Sequence, residues 1–295
     1  MVVLVTGSNG QLGKSLQFIA PNYPDIHFVF CSSTDLDISN VENCQAVFSK
    51  IQPNYCINAA AYTAVDKAES EAEKAHLINV IGPKNLAAVC KQYSTVLLHV
   101  STDFVFDGDF SKFSLRAQSR GYSENDIPNP TGVYGQTKLE GEKVIQATFD
   151  NYYIIRTSWV YSQFGNNFMK TMLRLASERD SISVVNDQIG TPTNAVDLAE
   201  ALIQIILTDK RQATSDNFGV YNFSNEGQCS WYDFAKEIFE INNKNIDLKP
   251  IPTLSFPTPA KRPKFSVLDK SKIKQVFGIG IKSWEERLKE MQINK

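Results

Sequence analysis

Val2-Val3-Leu4-Val5-Thr6-Gly7-Ser8-Asn9-Gly10-Gln11-Leu12-Gly13 is the stretch that decides the fold of this chain. A short β-branched run meets three glycines spaced three apart, and an apolar helical period begins near Leu12. Glycine suits a turn that takes φ > 0 and a backbone that must approach pyrophosphate with no Cβ in the way. The helix that follows offers free N–H groups and a partial positive charge to an anion. The spacing is G-x-x-G-x-x-G rather than G-x-G-x-x-G, and a glycine triplet alone also fits any tight strand-to-helix turn. Its position directly after the first strand makes Gly7, Gly10 and Gly13 candidates for the phosphate turn of a dinucleotide site.

Beyond this turn, strand-like runs at 27–31, 55–58, 96–101 and 153–157 alternate with amphipathic helical patterns at 12–19, 41–51, 69–79, 83–93 and 137–148. That βαβα order predicts an α/β, Rossmann-type doubly wound parallel sheet with helices on both faces. Ligands of such sheets sit at the carboxyl ends of the strands. After about Ser158 the texture changes. Helices are expected over 167–178 and 196–207, a short strand over 182–185, and an irregular proline-rich tract over 251–263. Residues 1–158, with a return segment at about 194–223, are therefore expected to form the dinucleotide-binding domain. Residues 159–193 and 224–295 are expected to form a smaller substrate-binding lobe. A long polar loop, 108–130, carries Lys112, Arg116 and Arg120.

Bulk composition narrows the function classes. The 295 residues are 42% hydrophobic and 21% charged, as in an ordinary globular protein. A net charge of −2 gives no global field for nucleic acid or an anionic membrane. No apolar run approaches the roughly 20 residues of a membrane span, and the first residues lack the basic start of a secretory signal. Five scattered cysteines, with no C-x-x-C, read as reduced buried thiols of a cytoplasmic protein. No carboxylate-histidine grouping suggests a metal site.

The chemistry lies after the fourth strand. That strand ends in Ser101-Thr102-Asp103, and Val133-Tyr134-Gly135-Gln136-Thr137-Lys138 opens a later helix. Tyr134 and Lys138 share one helix face. A phenol, an ammonium and a strand-end hydroxyl can together move a proton to or from a carbonyl or alcohol oxygen. A free phenol titrates near 10, and an adjacent ammonium is expected to lower that value. Thr102 would hydrogen-bond the reacting oxygen. A second Tyr-x-x-x-Lys, Tyr232 to Lys236, has no strand-end hydroxyl before it and reads as packing.

These motifs resemble the extended short-chain dehydrogenase/reductase superfamily and, within it, the dTDP-4-dehydrorhamnose reductase family. The likeness is carried by the glycine turn, by Asn58-Ala59-Ala60-Ala61-Tyr62-Thr63-Ala64-Val65-Asp66-Lys67-Ala68-Glu69 and by Ser101-Thr102-Asp103-Phe104-Val105-Phe106-Asp107-Gly108. Val133-Tyr134-Gly135-Gln136-Thr137-Lys138, Arg156-Thr157-Ser158-Trp159 and Asn186-Asp187-Gln188-Ile189-Gly190-Thr191-Pro192 extend it along nearly the whole chain. The resemblance implies hydride transfer from NADPH or NADH to C4 of dTDP-4-dehydro-β-L-rhamnose. Tyr134 matches the proton donor, Lys138 its partner and Thr102 the hydroxyl that holds the C4 oxygen.

The resemblance also implies contacts. Gly10, Gln11 and Leu12 match the pyrophosphate turn, Asp37 and Ile38 the adenine contact, and Ala61, Tyr62 and Thr63 the segment along the cofactor. Asp35 is placed to face the adenosine ribose, although Asp35 or Asp37 equally fits a helix cap. Asp103 and Trp159 match substrate contacts, and Asn167, Gln188 and Arg262 are candidates for the nucleotide diphosphate. Asn79 resembles the superfamily's helix asparagine that positions the lysine through water. The alternatives are another nucleotide-sugar epimerase or dehydratase of the superfamily, or a non-catalytic NADP-binding regulatory subunit. The assembly is expected to be a monomer or a homodimer.

Overall fold

The computed structural model describes residues 1–109, 120–212 and 217–293. Lys112 and Arg116 of the long polar loop lie outside them, while Arg120 pairs with Asp269 at 2.9 Å. The centre is a six-stranded parallel sheet. Its strands are β1 (Val2–Thr6), β2 (His27–Phe30), β3 (Tyr55–Asn58), β4 (Val96–Thr102), β5 (Tyr152–Thr157) and a last strand, Gly219–Asn222. The spatial order runs from the Gly219–Asn222 strand through β5, β4, β3 and β1 to β2. The chain leaves β1 for β2 on one side and returns to β3 on the other, so the order reverses between β1 and β3. Ligands of doubly wound sheets sit outside the strand ends at such a reversal.

The strands form because their apolar residues are needed on both faces. Leu4 packs with Cys56, Leu97 and Ile154 on one side, and Val3 and Val5 pack with Ile57, Leu98 and Ile155 on the other. A parallel sheet covered by helices on both sides demands such unbroken hydrophobic runs. Helix α1 (Gln11–Ile19) covers one face beside the Ala195–Gln212 helix, and α2 (Val41–Ile51) covers the other beside Gly82–Gln92. All five cysteines are free and buried.

A second hydrophobic cluster gathers Tyr161, Met169, Met172, Ile182, Val184, Phe234, Ile238, Trp284 and Leu288. Around it lie the Phe168–Glu178 and Trp231–Ile241 helices and a parallel pair of strands, Ser181–Val185 and Asp247–Ile251. One segment departs from the sequence expectation. Ile273 and Phe277 of the Ser271–Phe277 helix join the core of the large sheet, although 224–295 was expected to stay with the small lobe. The reason is local: the aromatic pair Tyr153 and Tyr221 gives Phe277 an edge-on seat at 5.7 and 5.0 Å.

The expected 69–79 and 83–93 helices are joined. Ala72–His76 passes into a π-helical turn, Leu77–Ile81, and then into Gly82–Gln92. A π turn inserts a residue and redirects side chains, and such turns recur at functional sites. Among the described residues no helix is long and apolar enough to cross a membrane.

Candidate active site

The glycine turn is built as the sequence requires. Gly7 sits at φ +64°, and a Cβ there would fall 2.7 Å from the Ala60 nitrogen at the end of β3. An L-residue would be strained there and would push the two strand ends apart. Gly10 precedes α1 in extended conformation, with no side chain capping the helix and no acid in its first turn. The first-turn N–H groups of α1 are thus free of any capping side chain at the reversal between β1 and β3. That is a cradle with the donor chemistry and the partial positive charge that a pyrophosphate needs. Leu12 and Gly13 are buried beneath it.

Around this cradle the expected cofactor residues fall as follows. Ala61 is half-buried, Thr63 exposed and Tyr62 buried. Asn79 clamps the Tyr62 backbone: its Oδ1 accepts from the Tyr62 N–H at 2.9 Å, and its Nδ2 donates to the Tyr62 carbonyl at 3.2 Å. Asn79 also donates to Thr137 Oγ1. The side chain of Asn79, on the π turn, thus serves the 60–63 segment as a backbone clamp. Ile38 is buried against Gly82, while Asp37 is exposed and accepts from the Ser39 N–H and hydroxyl. Asp35 accepts from the Ser32 N–H and hydroxyl, which hold its carboxyl below the usual range. Neither acid caps α2; Asn40 does, accepting from the Asn43 N–H at 2.8 Å.

The reactive cluster forms where β4 meets the Val133–Thr148 helix. The Thr102 hydroxyl lies close enough to the Tyr134 phenol to act on its titration, and Phe104 meets the Tyr134 ring edge-on at 5.6 Å. Thr102 Oγ1 also donates to Asp103 Oδ1 at 3.1 Å and accepts from the Phe104 N–H. Asp103 is buried, its Oδ2 has no hydrogen-bond partner, and burial lifts its carboxyl to about 6. Lys138 is only 2% exposed. Its Nζ donates to the Val100 carbonyl at 2.7 Å and lies 3.2 Å from His99 Nε2. Burial lowers the lysine to about 8, against the pull of Glu142 on its own helix.

The phenol itself departs from expectation. Burial raises Tyr134 to about 12; the Thr102 hydroxyl works against this, and the Asp103 charge adds to it. Lys138 does not offset this rise, because its Nζ is turned onto the β4 backbone and His99.

The sequence reading passed over His99 and Asn58. The legible signal was a histidine inside an otherwise apolar strand, Leu97-Leu98-His99-Val100. Glu142 was also missed. It accepts from Arg156 through Nε at 3.0 Å and NH2 at 2.7 Å, and from the Ser101 hydroxyl, locking β4, β5 and the helix together.

The four expected substrate residues outside the strand end are placed separately. Trp159 takes φ +45°, in the left-handed region, and its ring stacks on Trp231 with centroids 3.5 Å apart. Gly190 makes room for it, since a Cβ there would fall 2.5 Å from the indole. Gln188 donates to Thr253 Oγ1 at 3.1 Å. Asn167 caps the Phe168–Glu178 helix through Oδ1, and its Nδ2 donates to Gln11 Oε1 at 2.9 Å and to the Ser162 carbonyl at 2.7 Å. Arg262 forms a two-pronged pair with Asp66 at 2.9 and 2.7 Å. Asn167, Gln188 and Arg262 thus already hold protein partners. Among the described residues no group of three or more His, Cys, Asp or Glu is arranged to hold a metal.

Comparison with known proteins accords with this geometry. The family model described as the RmlD substrate binding domain matches residues 1–294. A dTDP-4-dehydrorhamnose reductase of Aggregatibacter actinomycetemcomitans is 41% identical over 299 residues, covering 98% of each chain. A crystal structure of a dTDP-4-dehydrorhamnose reductase from Clostridium acetobutylicum superposes with a TM-score of 0.91 at 41% identity, covering 100% of this chain and 99% of that one. Another from Bacillus anthracis, solved in complex with NADP, gives 0.88 at 40% identity, covering 100% and 99%. Over essentially its whole length, this chain belongs to the dTDP-4-dehydrorhamnose reductase family.

Proposed function

We propose that this chain reduces the C4 ketone of dTDP-4-dehydro-β-L-rhamnose to dTDP-L-rhamnose, with NADPH or NADH as reductant and Tyr134 as proton donor. One observation carries the reading. The Thr102 and Tyr134 hydroxyls lie together at the carboxyl end of β4, with a buried lysine one helical turn on. The NADP reported with the Bacillus anthracis relative supports the cofactor, as does the uncapped start of α1.

When bound, the reduced nicotinamide supplies the hydride. The protein does the rest. Thr102 and Tyr134 grip the C4 oxygen from one side. As negative charge grows on that oxygen, Tyr134 passes it the phenolic proton and becomes phenolate. A phenol held protonated by burial is in the right state to give that proton at neutral pH. Lys138, once charged, stabilises the phenolate left behind. Asp103, half-titrated near pH 6, lends its free oxygen to a sugar hydroxyl.

We assign cofactor binding to Gly7, Gly10, Gln11, Leu12, Gly13, Asp37, Ile38, Ala61, Tyr62, Thr63, Tyr134 and Lys138, and the sugar nucleotide to Thr102, Asp103, Trp159, Asn167, Gln188 and Arg262. Residues 1–158 with 194–223 form the cofactor domain in this reading, and 159–193 with 224–295 the substrate lobe, apart from the helix docked on the first core. Purified protein, the 4-keto sugar nucleotide and either reduced cofactor provide the test. Cofactor oxidation that requires the sugar supports the reading. Binding without oxidation points instead to a regulatory subunit.

A further inference from the structure

A buried polar chain runs behind the reactive cluster. Thr6 Oγ1 donates to Asn58 Oδ1 at 2.7 Å, and the Ala60 N–H donates to the same oxygen at 3.2 Å. The amide nitrogen Asn58 Nδ2 therefore faces His99 Nδ1, at 2.9 Å. On the far side of the ring, His99 Nε2 meets Lys138 Nζ at 3.2 Å. Thr6, Asn58 and His99 are each no more than 1% exposed, so water does not substitute for any of these contacts.

Donor and acceptor counting fixes the protonation states. A backbone N–H can only donate, so the Ala60 contact orients the Asn58 amide. Its NH2 group then donates to His99 Nδ1, which must carry a lone pair. A neutral imidazole with a bare Nδ1 carries its proton on Nε2. That N–H points at Lys138 Nζ, and an ammonium has no lone pair to accept it. A neutral amine does, and it keeps an N–H for the Val100 carbonyl.

We propose that His99 is a positioning residue for the reaction, holding Lys138 as an oriented neutral amine in the ligand-free protein at alkaline pH through the Asn58–His99–Lys138 chain. This rests on the reductase reading for its catalytic consequence, though not for its chemistry. Charging the lysine requires the ring proton to move from Nε2 to Nδ1 and the Asn58 amide to turn over. Turning it withdraws the oxygen from the Ala60 N–H. The charge on Lys138 is thereby tied to the backbone of 59–61, the segment assigned to the cofactor. Burial acts in the same direction, lowering both His99 and Lys138. The other charged group acting on the lysine is Glu142 of its own helix, already bound to Arg156 of β5 and Ser101 of β4. From the π turn and the Gly82–Gln92 helix, the groups packed nearest the Val133–Thr148 helix include the neutral Asn79 and Pro83.

The tautomer is read by nitrogen NMR on ligand-free protein labelled at histidine nitrogens. The chain has three histidines, and His27→Gln and His76→Gln assign the third signal. The expected result is a bare Nδ1 and a protonated Nε2 at about pH 9, on the basic side of the lysine's titration; the opposite tautomer there overturns the proposal. A second arm uses His99→Gln, whose amide oxygen can turn to accept from an ammonium. The alkaline limb of the kcat–pH profile should then move up by about one unit, with the NADPH dissociation constant nearly unchanged. A folded His99→Gln enzyme with an unmoved limb overturns it. The NMR arm needs neither that variant nor turnover, so it separates failure here from failure of the reductase reading.

Discussion

The chain carries the pattern Tyr-x-x-x-Lys twice, and the two copies have little in common beyond spacing. Tyr134 and Lys138 lie on the Val133–Thr148 helix; Tyr232 and Lys236 lie on Trp231–Ile241. Lys138 is buried and bonded to a backbone carbonyl and an imidazole. Lys236 is 60% exposed and faces Glu240 one turn away at 3.7 Å. Tyr134 meets the Thr102 hydroxyl, whereas Tyr232 packs against the apolar core of the small lobe. The helix starts differ too. Trp231–Ile241 begins with a full capping box, Ser230 and Asp233. Val133–Thr148 has no side chain at its cap position and borrows Glu69 Oε1, which accepts from the Val133 N–H at 2.9 Å. One copy is built to be stable. The other leaves polar groups buried and underused, as sites of chemistry do.

A matched pair of phenylalanines separates the two copies most strongly. Tyr134→Phe should lower kcat by roughly 10²- to 10⁴-fold, the usual worth of a positioned acid, with cofactor binding retained. Tyr232→Phe should leave sugar-dependent NADPH oxidation within about twofold. Equal losses in the two variants would erase the distinction.

The lysines separate by pH. Between about 8 and the ordinary 10.5, the unfolded chain holds a proton on Lys138 that the folded chain has released. The contribution of Lys138 to stability rises with pH across that window, by roughly 3 kcal/mol in all, and is lost again as pH falls to 8; the buried thiols and phenols, raised by burial, contribute with the opposite sign. Urea unfolding at several alkaline pH values should show stability falling more steeply with pH in Lys138→Met than in the parent, because the lysine no longer offsets the thiols and phenols, and no such change in Lys236→Met.

Arg262 tests the reach of the reactive side. If it leaves Asp66 to hold the diphosphate, Arg262→Ala should raise KM for the sugar nucleotide about tenfold, the worth of one charge-assisted pair, with kcat little changed. Asp66→Ala should not raise KM. The smallest effect belongs to the stable copy. Ser230→Ala should cost about 1 kcal/mol of unfolding free energy and leave turnover alone, as measured by denaturant titration alongside the assay.

Much of this was written in the local sequence. The runs at Val2–Thr6, Tyr55–Asn58 and Val41–Ile51 were read to the residue, because the two strands are short apolar runs with a clear stop and the helix carries a regular apolar period behind Asn40. Thr102 and Tyr134 were legible because strand ends and helix faces follow from simple periods. What escaped depended on partners far along the chain. His99 acquires its meaning only from Asn58, 41 residues earlier, and Lys138, 39 later. The lysine was expected to acidify the phenol, but the distance between two residues on one helix face does not reveal that a carbonyl on β4 competes for the ammonium. Asn79 was aimed by a π turn that no hydrophobic period announces. Asp35 and Asp37 were offered as caps when the neighbouring Asn40 served, a choice among adjacent polar residues that only the turn geometry decides.

The amide of Asn167 has a mechanical consequence. It begins a helix of the small core, and it also grasps Gln11 on the rim of the glycine turn. Gln11 also accepts from the Ser162 hydroxyl at 3.2 Å and donates to the Val160 carbonyl at 3.5 Å. One amide thus laces the glycine turn to the threshold of the second core, and Gln11→Ala would cut all three threads at once.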